Sequence, residues 1–159
     1  MRIDVKVHSK ARGYAYRLLK YRNRSEKEIR DKFLKRKFSV EVIDSVIEHL
    51  KKSGYINDLN FAREWLDYRL KVPFGLKRII FELKAKGVEE SIINQVVKST
   101  RVNLAQADAL LDVASRKLNS INKRAQDKAK IRQKMYGFLF RRGFSSADIV
   151  DCLEKLIPF

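Results

Sequence analysis

Cationic side chains are the chemically capable groups that gather in this sequence. Between Lys10 and Lys37 stand twelve Lys or Arg against three acids, Glu26, Glu28 and Asp31. Arg17, Lys20, Arg22 and Arg24 lead into a turn, and Lys27, Arg30, Lys35 and Arg36 follow it. Arg69, Lys71, Lys77, Arg78, Lys84 and Lys86 form a second cluster. A third runs from Lys123 to Lys134 and resumes after it, with Arg124, Lys128, Arg132, Arg141 and Arg142 as its candidate contacts. Such groups hold phosphates and carboxylates through charge-assisted hydrogen bonds. Tyr14, Tyr16, Tyr21, Tyr68, Phe74 and Tyr136 interleave with the charge, and aromatic rings so placed either stack on bases or pack inside the fold.

Any one of these cations, taken alone, is ordinarily part of a solvated helix face, because Lys and Arg are good helix formers. The pattern as a whole carries more weight. A formal charge of +17 with a pI of about 10.1 favours a polyanionic partner: nucleic acid, a membrane surface or an acidic protein.

Other chemistry is sparse. His8 and His49 are the only histidines, and neither has a His or Cys at metal-ligand spacing. Phosphate-loop and nucleophile-elbow motifs are absent, and the acids form no dyad. The expectation is therefore no enzyme, cofactor, metal or small-molecule substrate. Cys152 is the single cysteine, which fits a reducing compartment, and its register assigns it to a core. No apolar run spans a bilayer and the N-terminus lacks a signal-peptide core. A cytoplasmic, monomeric protein is expected.

The elements that must position the cations come in triplicate. Residues 33–43 read FLKRKFSVEVI, residues 83–93 read LKAKGVEESII, and residues 138–150 read FLFRRGFSSADIV. Phe38, Val88 and Phe144 are the aligned anchors. A stripe with helical spacing starts five residues after each: Ile43, Val46, Ile47, Leu50; then Ile93, Val96, Val97 beside Ile92; then Ile149, Cys152, Leu153, Leu156. Nine and five residues before the anchors stand Ile29 and Phe33, Ile79 and Leu83, Met135 and Leu139. A leading helix carries Ala15, Leu18 and Leu19 in the first copy and Ala62, Trp65 and Leu66 in the second. Ala107, Leu110, Leu111 and Ala114 offer a comparable stripe in the third.

The fold class that follows is all-α, with three tandem three-helix repeats stacked into an elongated, curved body. The expected divisions are an N-terminal extension at 1–9, then repeats at 10–57, 58–100 and 101–159. In the extension, Ile3, Val5 and Val7 alternate with polar residues, as in a short strand, or else the segment is disordered. Helix signals mark the joints. Ser25 to Glu28 has the form of a capping box. Asp58 is the expected cap of the helix through Phe61, and Pro73 falls close to a helix start. Gly87 and Gly143 fall where left-handed helix ends belong, and Lys37 takes that place in the first copy, so its bend is either strained or shaped differently.

The stretch GYINDLNFAREWLDYRLKVPFGLKRIIFELKAKGV, residues 54–88, resembles the RecX family of recombination regulators. The resemblance rests on Gly54, Tyr55, Ile56, Asp58, Phe61, Ala62, Arg69, Gly75, Arg78, Leu83, Lys86, Gly87 and Val88. The flanking LLKYRNRSEKEIRDKFLKRKF and FLFRRGFSSADIV resemble the opening and closing units of that family. Asn57 departs from the usual acidic pair, and Lys37 from the usual glycine. The resemblance implies RecA as partner. It implies binding in the groove of the RecA–DNA filament and limiting its extension, and thereby modulating ATP hydrolysis, strand exchange and LexA cleavage. The alternatives are a free-standing basic repeat protein that binds nucleic acid, and a helical adaptor whose charge serves solubility.

Overall fold

The computed structural model describes residues 5–98, 100–121 and 127–158. Among the described residues the chain forms α1 (Val5–Tyr21), α2 (Glu26–Lys35), α3 (Val40–Lys52), α4 (Asp58–Leu70), α5 (Leu76–Ala85), α6 (Glu90–Val97), α7 (Thr100–Asn119), α8 (Lys128–Arg141) and α9 (Ser146–Leu156). These make three successive sets of three, so the class is all-α with three-helix repeats. Two compact units divide the chain: Met1–Arg63 with Leu83–Ile93, and Glu64–Glu82 with Asn94–Phe159. The division falls inside α4, α5 and α6.

In the first unit α1, α2 and α3 close over Ala11, Tyr14, Ala15, Ile29, Phe33, Ile43, Val46, Ile47, Leu50 and Ile56. In the second, α7, α8 and α9 close over Leu110, Val113, Ala114, Leu118, Ile131, Met135, Leu139, Phe144, Ile149, Cys152 and Leu153. The paired points on the middle helices are among the most deeply buried of the described residues. Ile29, Ile79, Met135, Leu83 and Leu139 are wholly buried, and Phe33 nearly so. Burying a side chain of this size contributes roughly 1.5–3 kcal/mol, which holds an otherwise charged helix in place.

Each middle helix stops in the same way. The amides of Lys37, Gly87 and Gly143 donate to the carbonyls of Leu34, Lys84 and Phe140 at 2.9 Å each. The amides of Phe38, Val88 and Phe144 reach back to Phe33, Leu83 and Leu139 at 3.3, 3.1 and 3.4 Å. This is the Schellman pattern, and the anchor packs at the residue it bonds. It requires φ above zero at its turning residue, and the values are 61° at Lys37, 78° at Gly87 and 89° at Gly143. The Lys37 bend therefore has the same shape as the others, with the strain left in.

Four sequence expectations are corrected. Residues 5–9 begin α1, because the alternation there is too short to compete with the helix it continues into; residues 1–4 lie outside the described segment. The cap of α4 is Asn57, whose Oδ1 accepts the Asn60 amide at 3.0 Å. Asp58 is already helical and instead accepts the Glu26 amide at 2.9 Å, capping α2 from a distance. Pro73 stands three residues ahead of α5, in the loop. In α7 the buried stripe is Leu110, Val113, Ala114 and Leu118, whereas Ala107 and Leu111 are exposed.

Candidate nucleic-acid and partner interface

The N-terminus of α2 shows how the fold uses its charges. Ser25 is wholly buried. Its Oγ accepts the Glu28 amide at 3.2 Å and donates to the Lys86 carbonyl at 2.6 Å. Lys27 Nζ donates to the Ala85 carbonyl at 3.2 Å. The end of α5 thus lies against the start of α2, its last carbonyl oxygens taken by the Ser25 hydroxyl and the Lys27 ammonium. In the second unit the same joint recurs. The Gly75 amide donates to the Arg142 carbonyl at 2.8 Å, and the Lys77 amide to the Gly143 carbonyl at 3.1 Å. The Leu76 amide donates to Gln106 Oε1 at 2.7 Å. A Cβ at Gly87 would lie 2.6 Å from Lys27 Cβ, and one at Gly143 would lie 2.6 Å from the Arg78 nitrogen. These two bends are glycine for space as well as for φ; the exposed Lys37 escapes the first demand.

Glu28 does not fold back on the Ser25 amide. It binds Arg22 Nη1 at 2.8 Å and Lys86 Nζ at 2.6 Å. Burial pushes its carboxyl upward, but hydrogen bonds and charge from Arg22 and Lys86 overcome this and hold it at about 2. Arg30 binds Asp44 at 2.5 Å and Glu26 at 2.9 Å, and the Asp44 hydrogen bond foremost raises its pKa. Glu26 also takes Lys51 at 2.8 Å, which chiefly lowers the Glu26 carboxyl. Burial raises the carboxyl of Asp58.

Phe74 organises the second unit's counterpart. The guanidinium carbons of Arg69 and Arg78 each lie 4.4 Å from its ring centroid, and that of Arg142 lies at 5.9 Å. Glu82 accepts from Arg69 at 2.5 Å, Arg78 at 3.3 Å and the Trp65 indole at 3.2 Å. Three arginines around one ring and one carboxylate leave a local excess of positive charge.

Other expected contact residues are also committed to the fold. Arg24 Nε caps α1 at the Leu18 carbonyl (3.1 Å), and Arg36 lies 4.2 Å over Tyr14. Lys128 reaches the Pro158 carbonyl at 3.3 Å; Arg132 binds those of Leu153 and Ile157 at 3.2 and 2.5 Å. Arg142 donates to the Pro73 carbonyl at 3.1 Å. Lys84 meets Glu90 at 2.9 Å on the surface, a pair worth little. Arg17, Lys20, Lys35, Lys71, Lys77 and Arg141 are exposed, without a salt bridge among the described residues. Arg124 lies outside the described residues.

Most of the aromatic candidates pack. Tyr14 is buried against Phe33 and Phe38, Tyr16 meets Tyr55 and His49, and Tyr136 stacks on Phe140. Tyr21 and Tyr68 are exposed. Arg116 and Lys117, in the last turn of α7, fell outside the expected set.

Models of the first, second and third three-helix domains of RecX match residues 11–50, 57–97 and 105–153. Regulatory protein RecX of Chlorobium phaeobacteroides is 36% identical over 148 residues, which are 92% of this chain and 93% of that one. The chain belongs to the RecX family. The Regulatory protein RecX of Clostridium acetobutylicum is 31% identical over 154 residues, 96% of this chain and 71% of its own. In fold, the crystal structure of RecX from Lactobacillus salivarius superposes with a TM-score of 0.81 at 23% identity, covering 94% of this chain and 96% of that one. Its relatives carry the name of regulatory proteins. Among the described residues of this RecX chain no group of three His, Cys, Asp or Glu is placed to hold a metal, and no helix is long and apolar enough to cross a membrane.

Proposed function

We propose that this RecX chain is a non-enzymatic regulator of the RecA recombinase. It binds in the groove of the RecA–DNA filament and restrains extension, and with it ATP hydrolysis, strand exchange and LexA cleavage. The supporting observation is the succession of three RecX-type three-helix domains between residues 11 and 153. Repeats suit a repeating partner: contacts from successive units to successive protomers multiply avidity beyond any single contact. The exposed Arg17, Lys20, Lys35, Lys71, Lys77 and Arg141 supply steering and phosphate contacts to the DNA within the filament. In this reading the protein works as a cytoplasmic monomer in recombination, DNA repair and the SOS response.

The test is RecA ATPase on excess single-stranded DNA, titrated with this protein well below the RecA concentration. A fall in rate at a small ratio supports filament regulation. An unchanged rate beside tight, salt-sensitive DNA binding transfers the function to the runner-up, a free-standing nucleic-acid-binding repeat protein. The charge of +17 alone favours that second reading.

A further inference from the structure

Two concavities of the second unit lie side by side between α7 and α8. The smaller, about 350 Å³, is lined by Pro73, Val113, Arg116, Lys117, Phe138 and Arg142. The larger, about 560 Å³, shares Lys117 and Phe138 and adds Lys134 and Arg141 as cations, with Ser120 and Gln133 as neutral donors. No carboxylate lines either among the described residues. Asp112 neutralises Arg116, but Lys117, Arg141 and Arg142 have no carboxylate beside them in either lining. Phe138 fixes two of them: Lys117 Nζ lies 5.3 Å and the Arg142 guanidinium carbon 4.5 Å from its centroid. A cation held by a ring face keeps N–H donors that a carboxylate would have taken.

Gly137 supplies a second observation. It sits within α8, where glycine costs about 1 kcal/mol against alanine. A Cβ there would fall 3.2 Å from Arg141 Nη1 and meet nothing else within 4 Å. The glycine leaves room for Arg141 to fold back along the helix, beside the larger concavity.

We infer that this trough holds successive phosphates of single-stranded nucleic acid, with Lys117 and Arg141 as the principal contacts. Each concavity has the size of a small-ligand site, and side by side they admit an extended strand. A duplex presents its phosphates on a convex, rigid surface that does not enter them. The proposal rests on the reading above only in taking DNA as the polyanion.

The test measures a labelled thymidine oligonucleotide by fluorescence anisotropy across a salt series, with RecA absent. K117Q/R141Q should weaken binding and reduce the single-strand salt slope by about 1.4, two phosphates at roughly 0.7 each. The charge-matched control K10Q/K98Q, at exposed sites that line neither concavity, should leave the slope near wild type. Gly137→Leu fills the larger concavity without altering charge and should weaken binding as well. In the wild type, the oligonucleotide should protect Lys117 from acetylation, read by mass spectrometry without any variant. Equal loss in the control pair, equal weakening of a blunt duplex, or an unprotected Lys117 overturns the proposal. Because RecA is absent, the trough and the filament reading can fail independently.

Discussion

The Gly75 amide donates to the Arg142 carbonyl at 2.8 Å, so closely that a Cβ on residue 75 would lie 2.1 Å from the Gly143 carbonyl carbon. The contact is backbone on backbone, and nothing flexible stands between to give way. It repeats, in the second unit, what the Ser25 hydroxyl and the Lys86 carbonyl do in the first. In both joints the C-terminal end of one middle helix satisfies the N-terminal start of the middle helix before it.

Gly75→Ala should therefore be among the costliest small substitutions in the chain. Overpacking of this kind costs about 1–3 kcal/mol where side chains can shift, and more where backbone must move. Urea unfolding of the full chain measures it. A loss below about 0.5 kcal/mol would show that the joint is open.

Lys37→Gly should stabilise. The left-handed conformation costs a non-glycine residue roughly 1–2 kcal/mol, part of which returns as glycine's greater freedom in the unfolded chain. A net gain of about 0.5–1 kcal/mol is expected, with a higher melting temperature. Gly87→Lys should fail in the opposite direction, since Lys27 stands in the way.

Phe33→Ala and Leu83→Ala remove side chains that are 1% and 0% exposed. Losses of about 3–5 and 2–5 kcal/mol follow from lost burial and the cavity left behind. Wild-type melting of either variant would remove that residue from the core.

Glu28 makes folding sensitive to acid. Its carboxyl is held at about 2 in the fold, against 4.5 ordinarily. The folded state binds fewer protons through that window, so this contribution is complete above pH 4.5 and fades as pH falls towards 2. Glu28→Gln should lower stability near pH 7 by about 1–2 kcal/mol, allowing for solvent screening, and flatten the acid limb of the stability curve. An acid limb identical to wild type would contradict the assignment.

Arg78→Glu with Lys84→Glu, both exposed on α5, should weaken the effect on RecA ATPase while helicity persists. Because Arg78 also lies over Phe74 and binds Glu82, Arg78→Ala is the companion control. Full inhibition by the double reversal would clear α5 of a partner role.

The order of helices, the anchors Phe38, Val88 and Phe144, and the deep pairs before them were legible in the sequence. Apolar residues at helical spacing have one low-energy solution, and it recurred three times with the same punctuation. Cys152 fell into the core for the same reason. The fates of polar groups were not legible, because a hydrogen bond depends on what a distant segment brings within about 3 Å. Asp58 caps a helix 32 residues away, Ser25 closes on Lys86, and Glu28 takes Arg22 and Lys86 in place of its own amide. Charge shows the same split. Composition alone established an excess of cations. Only the tertiary structure separated Arg24, Arg132 and Arg142, which cap carbonyls within the fold, from Lys71, Lys77 and Arg141, which face outward. A cation is committed to the fold by the neighbours that packing assigns it, and its own place in the sequence does not name them.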